Sequence, residues 1–230
     1  METARSRHEE RLAIYRETGN KAGIAVALSH LGDCHLQDDL WIARRCFDEG
    51  LMIWRELGDP TGMAWSLGGL GRVADLQGEY EAAGSLHEQS LAIRRELGNR
   101  QSIADSLSDL ARVAQHQGDG ERAAGLWKES MALFREQGSK KGVAACLEGL
   151  AEATVEVRDG AEWAARLLGA AEGLRDALGT PLPPVDRVDR DRSLAAARAV
   201  LGEAAFAAAS AEGRAMEPEQ AVRIALEGAP

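Results

Sequence analysis

Four stretches of the chain carry leucines three residues apart within otherwise mixed sequence: Leu28/Leu31, Leu67/Leu70, Leu107/Leu110 and Leu147/Leu150. Spacing of three or four puts apolar side chains on one face of a helix, whereas a half-buried strand alternates. Small residues recur around these pairs. Gly32, Gly71, Ala111 and Ala151 follow the second leucine. Ala43, Ala83, Ala123 and Ala164 open a second helical stretch, and Gly50, Ser90, Ser130 and Ala171 come seven residues later. Small side chains at such positions let two helices approach closely.

The pattern is a repeat. The segments HEERLAIYRETGN (8–20), DEGLMIWRELGD (48–59), HEQSLAIRRELGN (87–99) and KESMALFREQGS (128–139) are variants of one another. Their glycines are Gly19, Gly58, Gly98 and Gly138, and Gly179 closes a weaker fifth copy, at spacings of 39, 40, 40 and 41. A glycine after a helical pattern takes the left-handed conformation that ends a helix. The next residue is Asn20, Asp59, Asn99, Ser139 or Thr180, each a good N-cap. Pro60 follows at a first helical position, where proline is tolerated. A second turn lies inside each repeat, at Gln37-Asp38-Asp39, Gln77-Gly78-Glu79, Gln117-Gly118-Asp119 and Arg158-Asp159-Gly160.

Each repeat is therefore expected to be two antiparallel helices, A and B. The A helices are expected near 21–36, 60–77, 100–117 and 140–157. The B helices are expected near 3–18, 40–57, 80–97, 120–137 and 161–178. The predicted organisation is an array over 1–179, with a lone B helix in 1–19 and repeats in 20–58, 59–98, 99–138 and 139–179. The remainder, 180–230, is expected to be a proline-rich linker (Thr180-Pro181-Leu182-Pro183-Pro184) and a helical cap with helices near 186–201, 203–213 and 218–227. The small-residue helix EAAFAAASAEGRA is expected to pack on the last repeat. A lone B helix at the start suggests either a cap or a piece of a longer protein. Its uncovered face makes a homodimer an alternative.

The Leu-Gly or Leu-Ala step in helix A, followed by two small residues seven apart in helix B, resembles the tetratricopeptide repeat family across about residues 3–179. The family's usual unit is about 34 residues, so longer helices are implied here. HEAT and armadillo repeats also have periods near 40 but bring a helix A proline that is missing here, so they rank second. The resemblance implies an all-α fold, a right-handed α-solenoid of helix pairs. It also implies a protein or peptide ligand in a concave groove lined by the A helices. Spacing from the leucines places Val26, Trp65, Asp105 and Ala145 at one groove position, and Ser29, Gly68, Ser108 and Glu148 at the next. Asp33, Arg72, Arg112 and Glu152 occupy a third, with Asp75, Gln115 and Val155 beyond them. The candidate site is thus Asp33, Trp65, Arg72, Asp75, Asp105, Arg112, Gln115, Glu148 and Glu152. Arg72 and Arg112 either grip a carboxylate or phosphate together or pair with Asp33, Asp75 or Asp105 along the same face. The asparagine set by which family members hold acidic C-termini is missing from these positions. The phrases AARLLGAAEGLRDALGTPLPP and LGEAAFAAASAEGRAMEPEQAVRIALEGA resemble the C-terminal end of bacterial signalling ATPases and LuxR-type regulators. That resemblance implies a sensor or interaction arm; a free-standing adaptor and an inducer-binding receptor are the alternatives.

Charge narrows the classes. The formal net charge is −10 and the pI about 5.1, so a phosphate backbone is repelled and direct nucleic-acid binding is not expected. The sequence has no run of about eighteen apolar residues, so a membrane span is not expected either. Three cysteines, Cys34, Cys46 and Cys146, without a CxxC pair, fit a reducing cytoplasm. His30, Cys34 and His35 lie close in sequence but align at most two ligands on one face, so no metal is expected. There is no phosphate-loop glycine motif, GxSxG or HExxH. No cofactor and no enzymatic activity are expected. Trp41, Trp54, Trp65, Trp127 and Trp163 are expected mostly to pack in the core.

Overall fold

A computed structural model describes residues 2–155, 160–181 and 184–228. These residues form twelve helices. The repeat region comprises α1 (Glu2–Glu17), α2 (Lys21–His35), α3 (Leu40–Leu57), α4 (Pro60–Leu76), α5 (Tyr80–Leu97), α6 (Arg100–His116), α7 (Gly120–Glu136), α8 (Lys140–Thr154) and α9 (Gly160–Leu178). The tail adds α10 (Pro184–Leu201), α11 (Glu203–Arg214) and α12 (Pro218–Glu227). No strand occurs among the described residues. Even-numbered helices from α2 to α8 are the A helices, and odd-numbered ones from α1 to α9 the B helices. The Arg158-Asp159 part of the last inner turn, and Leu182-Pro183 of the linker, lie outside the described residues.

The junctions follow from sequence. Gly58 has φ of 64° and donates its amide to the Arg55 carbonyl, closing α3; Asp59 then accepts from the Gly62 amide and opens α4. Asn20, Asn99 and Ser139 cap their helices in the same way, through the amides of Gly23, Ser102 and Gly142. Each cap stabilises its helix by about 1 kcal/mol. Between repeats an aromatic ring of helix B lies flat on a glycine of the next helix A. Tyr15 covers Gly23, Trp54 covers Gly62 and Phe134 covers Gly142. A methyl group at any of these glycines would collide with the ring.

The chain divides into two compact units, Met1–Ser102 and Ile103–Pro230. The first contains two core clusters, one around Phe47, Leu51, Leu67, Leu70 and Val73, the other around Leu12, Leu28 and Leu31. The second has one continuous core running from Ala104 through Trp127, Leu147, Trp163 and Leu168 to Phe206 and Val222. There α11 crosses α9 at very short range. A Cβ on Gly169 would sit 2.0 Å from the Ser210 carbonyl oxygen, and one on Gly213 would sit 1.9 Å from that of Arg166.

Candidate functional site

The A helices of the first unit bring Val26, His30 and Asp33 of α2 near Trp65 and Arg72 of α4. His30 meets the Trp65 ring edge-on, with centroids 4.8 Å apart, and its other face stacks on His8 of α1 at 4.7 Å. Burial, then the neighbouring His30 and Arg11, push the His8 imidazole below its ordinary pKa. His8 therefore stays neutral more readily than a free imidazole. Arg72 Nη2 donates to Asp33 Oδ1 at 2.6 Å, both side chains about one-third exposed. Asp75 is buried at 5% exposure near the end of α4, so it does not stand open beside them.

In the second unit, Arg112, Gln115, Glu148 and Glu152 line one cleft of about 140 Å³. Gln115 bridges it: its Nε2 donates to the Gly149 carbonyl at 3.0 Å, while its Oε1 accepts from Trp127 Nε1 at 2.8 Å. Arg175 of α9 forks onto Glu148, with Nε to Oε1 at 2.7 Å and Nη2 to Oε2 at 2.5 Å. Both side chains are largely buried, at 9% and 13% exposure. Arg112 Nη2 donates to Asp109 Oδ1 at 2.8 Å. Arg190 and Arg192 of α10 reach Glu172 and Glu152 at 3.6 and 4.0 Å. Gln115 and Glu152 also border a second cleft of about 210 Å³, whose other wall includes Arg192, Ser193 and Ala196 of α10. Asp105 is exposed on α6.

Sequence reasoning missed Asp109, Arg175 and the α10 arginines. The repeat held the signal for Arg175. Alignment of Ala43, Ala83, Ala123 and Ala164 matches Trp54, Arg94, Phe134 and Arg175. Arginine replaces the aromatic in two copies, and both arginines make specific bonds; Arg94 Nη1 donates to the Ser102 carbonyl at 2.8 Å. Arg112 meets an acid on its own helix, Asp109, three residues back, which the spacing from the leucines did not single out.

The remaining chemistry is quiet. Among the described residues no group of three His, Cys, Asp or Glu is placed to hold a metal ion, and no helix is long and apolar enough to cross a membrane. Cys146 is fully buried, which raises its thiol to about 12 despite bonding to Ser130 and Ser108. Cys34 and Cys46 are only partly buried, and burial raises them too. Trp54, Trp127 and Trp163 pack in the core as expected, but Trp41 is 62% exposed.

Family models described as tetratricopeptide repeat match residues 42–96 and 103–136. Those two stretches are therefore similar to tetratricopeptide repeats. Among solved structures, BtubC (BKLC) from P. vanneervenii is similar with a TM-score of 0.70 at 20% identity, over 99% of this chain and 92% of that one. A putative kinesin light chain of Podosopora anserina with nearly identical TPR-like repeats is similar with a TM-score of 0.58 at 18% identity, over 78% of this chain and 89% of that one. At these identities the likeness is one of fold, the all-α tetratricopeptide-like solenoid class. No curated protein matches the chain.

Proposed function

We propose that this chain is a protein-binding scaffold whose tetratricopeptide A helices hold a protein or peptide segment. The observation that supports this most directly is the aromatic and apolar surface of α2 and α4. Val26 is exposed there, and Trp65 and His30 are only half-buried. Tryptophan is enriched among the few residues that dominate binding energy. Arg72 is held by Asp33, and Arg112 has Asp109 at bonding distance. A two-arginine grip would have to break these pairs, so Trp65 is the better anchor.

The chain acts on this reading as the interaction arm of a bacterial regulatory ATPase or transcriptional regulator, the context its tail phrases resemble. The adaptor reading differs only in what else the natural protein contains, which the mass of the endogenous protein decides. A homodimer through α1 has one exposed large apolar residue of that helix in its favour, Ile14, against exposed Arg7, Glu9, Glu10, Arg11, Arg16 and Glu17.

The test is affinity capture from the source cell, comparing wild type with Trp65→Ala and with Arg72→Ala/Arg112→Ala. Loss of a partner in Trp65→Ala, with unchanged circular dichroism, is the expected result. A partner retained equally by all three proteins would reject the A-helix face.

A further inference from the structure

α3 and α9 are the same element of the repeat at two places, yet their outer faces differ. Aligning Ala43 with Ala164 matches Trp41, Arg45, Asp48, Met52 and Arg55 with Glu162, Arg166, Gly169, Gly173 and Asp176. Residues at these spacings form one stripe along a helix. On α9 the stripe is covered by α11. Arg166 Nε donates to Glu212 at 3.0 Å, and Arg214 pairs with Asp176. Gly169 and Gly173 lie against the backbone of Ser210 and Arg214. The molecule thus displays how a helix seats on this face: opposite charges meet at both ends of the stripe, and the seam between them is filled.

On α3 all five equivalent residues are exposed, Trp41 at 62% and Met52 at 59%. Arg45 stands over the Trp41 ring at 4.7 Å, where α9 has the Arg166–Glu162 pair. The matching stripes carry Glu81, Ser85, Glu88, Ala92 and Arg95 on α5, and Glu121, Gly125, Lys128, Ala132 and Arg135 on α7. Large apolar residues therefore stand on this stripe only in α3. Charge differs as well. The α9 stripe has the Glu162–Arg166 pair at one end and Asp176 at the other, and α11 answers Arg166 with an acid and Asp176 with a base. The α3 stripe has arginine at both ends with one aspartate between, a positive site on a chain of net charge −10.

We propose that the Trp41–Met52 stripe of α3 is a docking surface for an acidic amphipathic helix of a partner protein, seated as α11 is on α9. Its carboxylates meet Arg45 and Arg55, and its apolar side chains cover Trp41 and Met52. The larger seam on α3 holds this helix farther out than the glycines of α9 hold α11. Tryptophan and arginine together supply the apolar area and the directional charge that interface hot spots use. The surface lies on a B helix and is separate from the A-helix surface proposed above.

The experiment titrates the full chain into a fluorescein-labelled synthetic amphipathic helix of about five turns. The peptide has a leucine–alanine seam and two glutamates spaced as Glu212 and Arg214 are on α11. A second peptide carries lysines in place of those glutamates. The wild type is expected to bind the acidic peptide about tenfold more tightly than the basic one. Trp41→Ala is expected to weaken that binding about tenfold, Arg45→Glu/Arg55→Glu to invert the preference, and Trp65→Ala to leave it unchanged. Met52→Ser serves as the second seam variant should Trp41→Ala lose its circular dichroism signal. Absence of saturable binding, equal binding of both peptides, or indifference to both seam variants would overturn the proposal. So would a wild-type dimer in sedimentation velocity that Trp41→Ala dissolves, because a second copy would then occupy the stripe.

Discussion

In residues 1–102 a row of charged pairs runs over the surface, and in residues 103–230 a two-bond pair lies largely buried. Arg5 meets Asp38, Arg16 meets Glu49, Lys21 meets Glu56 and Arg44 meets Glu79, all at 2.7–2.8 Å. Each pair links residues 33 to 35 apart, and every side chain in it is more than a third exposed. The second unit instead buries the Arg175–Glu148 fork inside a continuous core that the tail helices help to enclose. Exposed pairs stabilise by under about 1 kcal/mol, whereas a buried charge left without its partner costs several. One repeat sequence has therefore been fitted to two regimes. The first unit depends on neighbour-to-neighbour apolar contact and tolerates change at its surface, while the second depends on completeness.

The sharpest way to break this contrast is Glu148→Ala. It takes two charge-assisted bonds from the largely buried Arg175 guanidinium and is expected to destabilise the second unit by about 2–3 kcal/mol. Urea unfolding followed by hydrogen exchange should show α8 and α9 loosened while α2–α4 are unchanged. Glu148→Ala combined with Arg175→Met should recover most of the loss. If the single variant costs under about 1 kcal/mol, the fork is a surface pair in energetic terms and the contrast falls.

A smaller change should strengthen the first unit. Ser90 Oγ donates to the Ala64 carbonyl at 2.8 Å, and Ser130 Oγ does the same to Ala104 at 2.8 Å. The equivalent position in α3 is Gly50, facing the Ala25 carbonyl. A Cβ there would lie 3.7 Å from that oxygen and 3.3 Å from Ser66 Oγ. Ser66 Oγ has no hydrogen-bond partner in the structure, and its short side chain can rotate aside. Gly50→Ser is expected to raise stability by about 1 kcal/mol, from helix propensity and the restored bond. A lower melting temperature would mean that Ser66 cannot give way. The smallest effect expected is that of Lys21→Ala, which removes the Glu56 pair. It should cost under about 0.5 kcal/mol, and the difference should vanish in about 1 M salt.

Most of the fold was legible in the sequence because its signals are local. Gly19, Gly58, Gly98 and Gly138 take positive φ, and the Asn20, Asp59, Asn99 and Ser139 caps follow them, so helix ends could be read residue by residue. The site was less legible because it depends on contacts between helices. Spacing placed Asp75 with the groove residues, but position along a face does not decide depth, and Asp75 is buried. Spacing likewise did not show that Arg112 would find Asp109 within its own helix. The five tryptophans were expected mostly inside, and nothing in the sequence neighbourhood of Trp41 marks the α3 stripe as outward. Only comparison of the copies marks it, where glutamate, glutamate and glutamate stand at 81, 121 and 162.

The crossing of α9 by α11 also has a consequence in time. Gly213 closes against the Arg166 carbonyl 47 positions earlier in the chain. At synthesis rates of about 5–20 residues per second, Arg166 is made several seconds before Gly213 exists. Through that interval the glycine stripe of α9 waits on the ribosome without its lid, whereas the ring-on-glycine contacts of the first unit, Tyr15 on Gly23 and Trp54 on Gly62, close over only eight positions of chain. The second unit is thus the later and more exposed part of every newly made molecule. That is where a chaperone would have most to do.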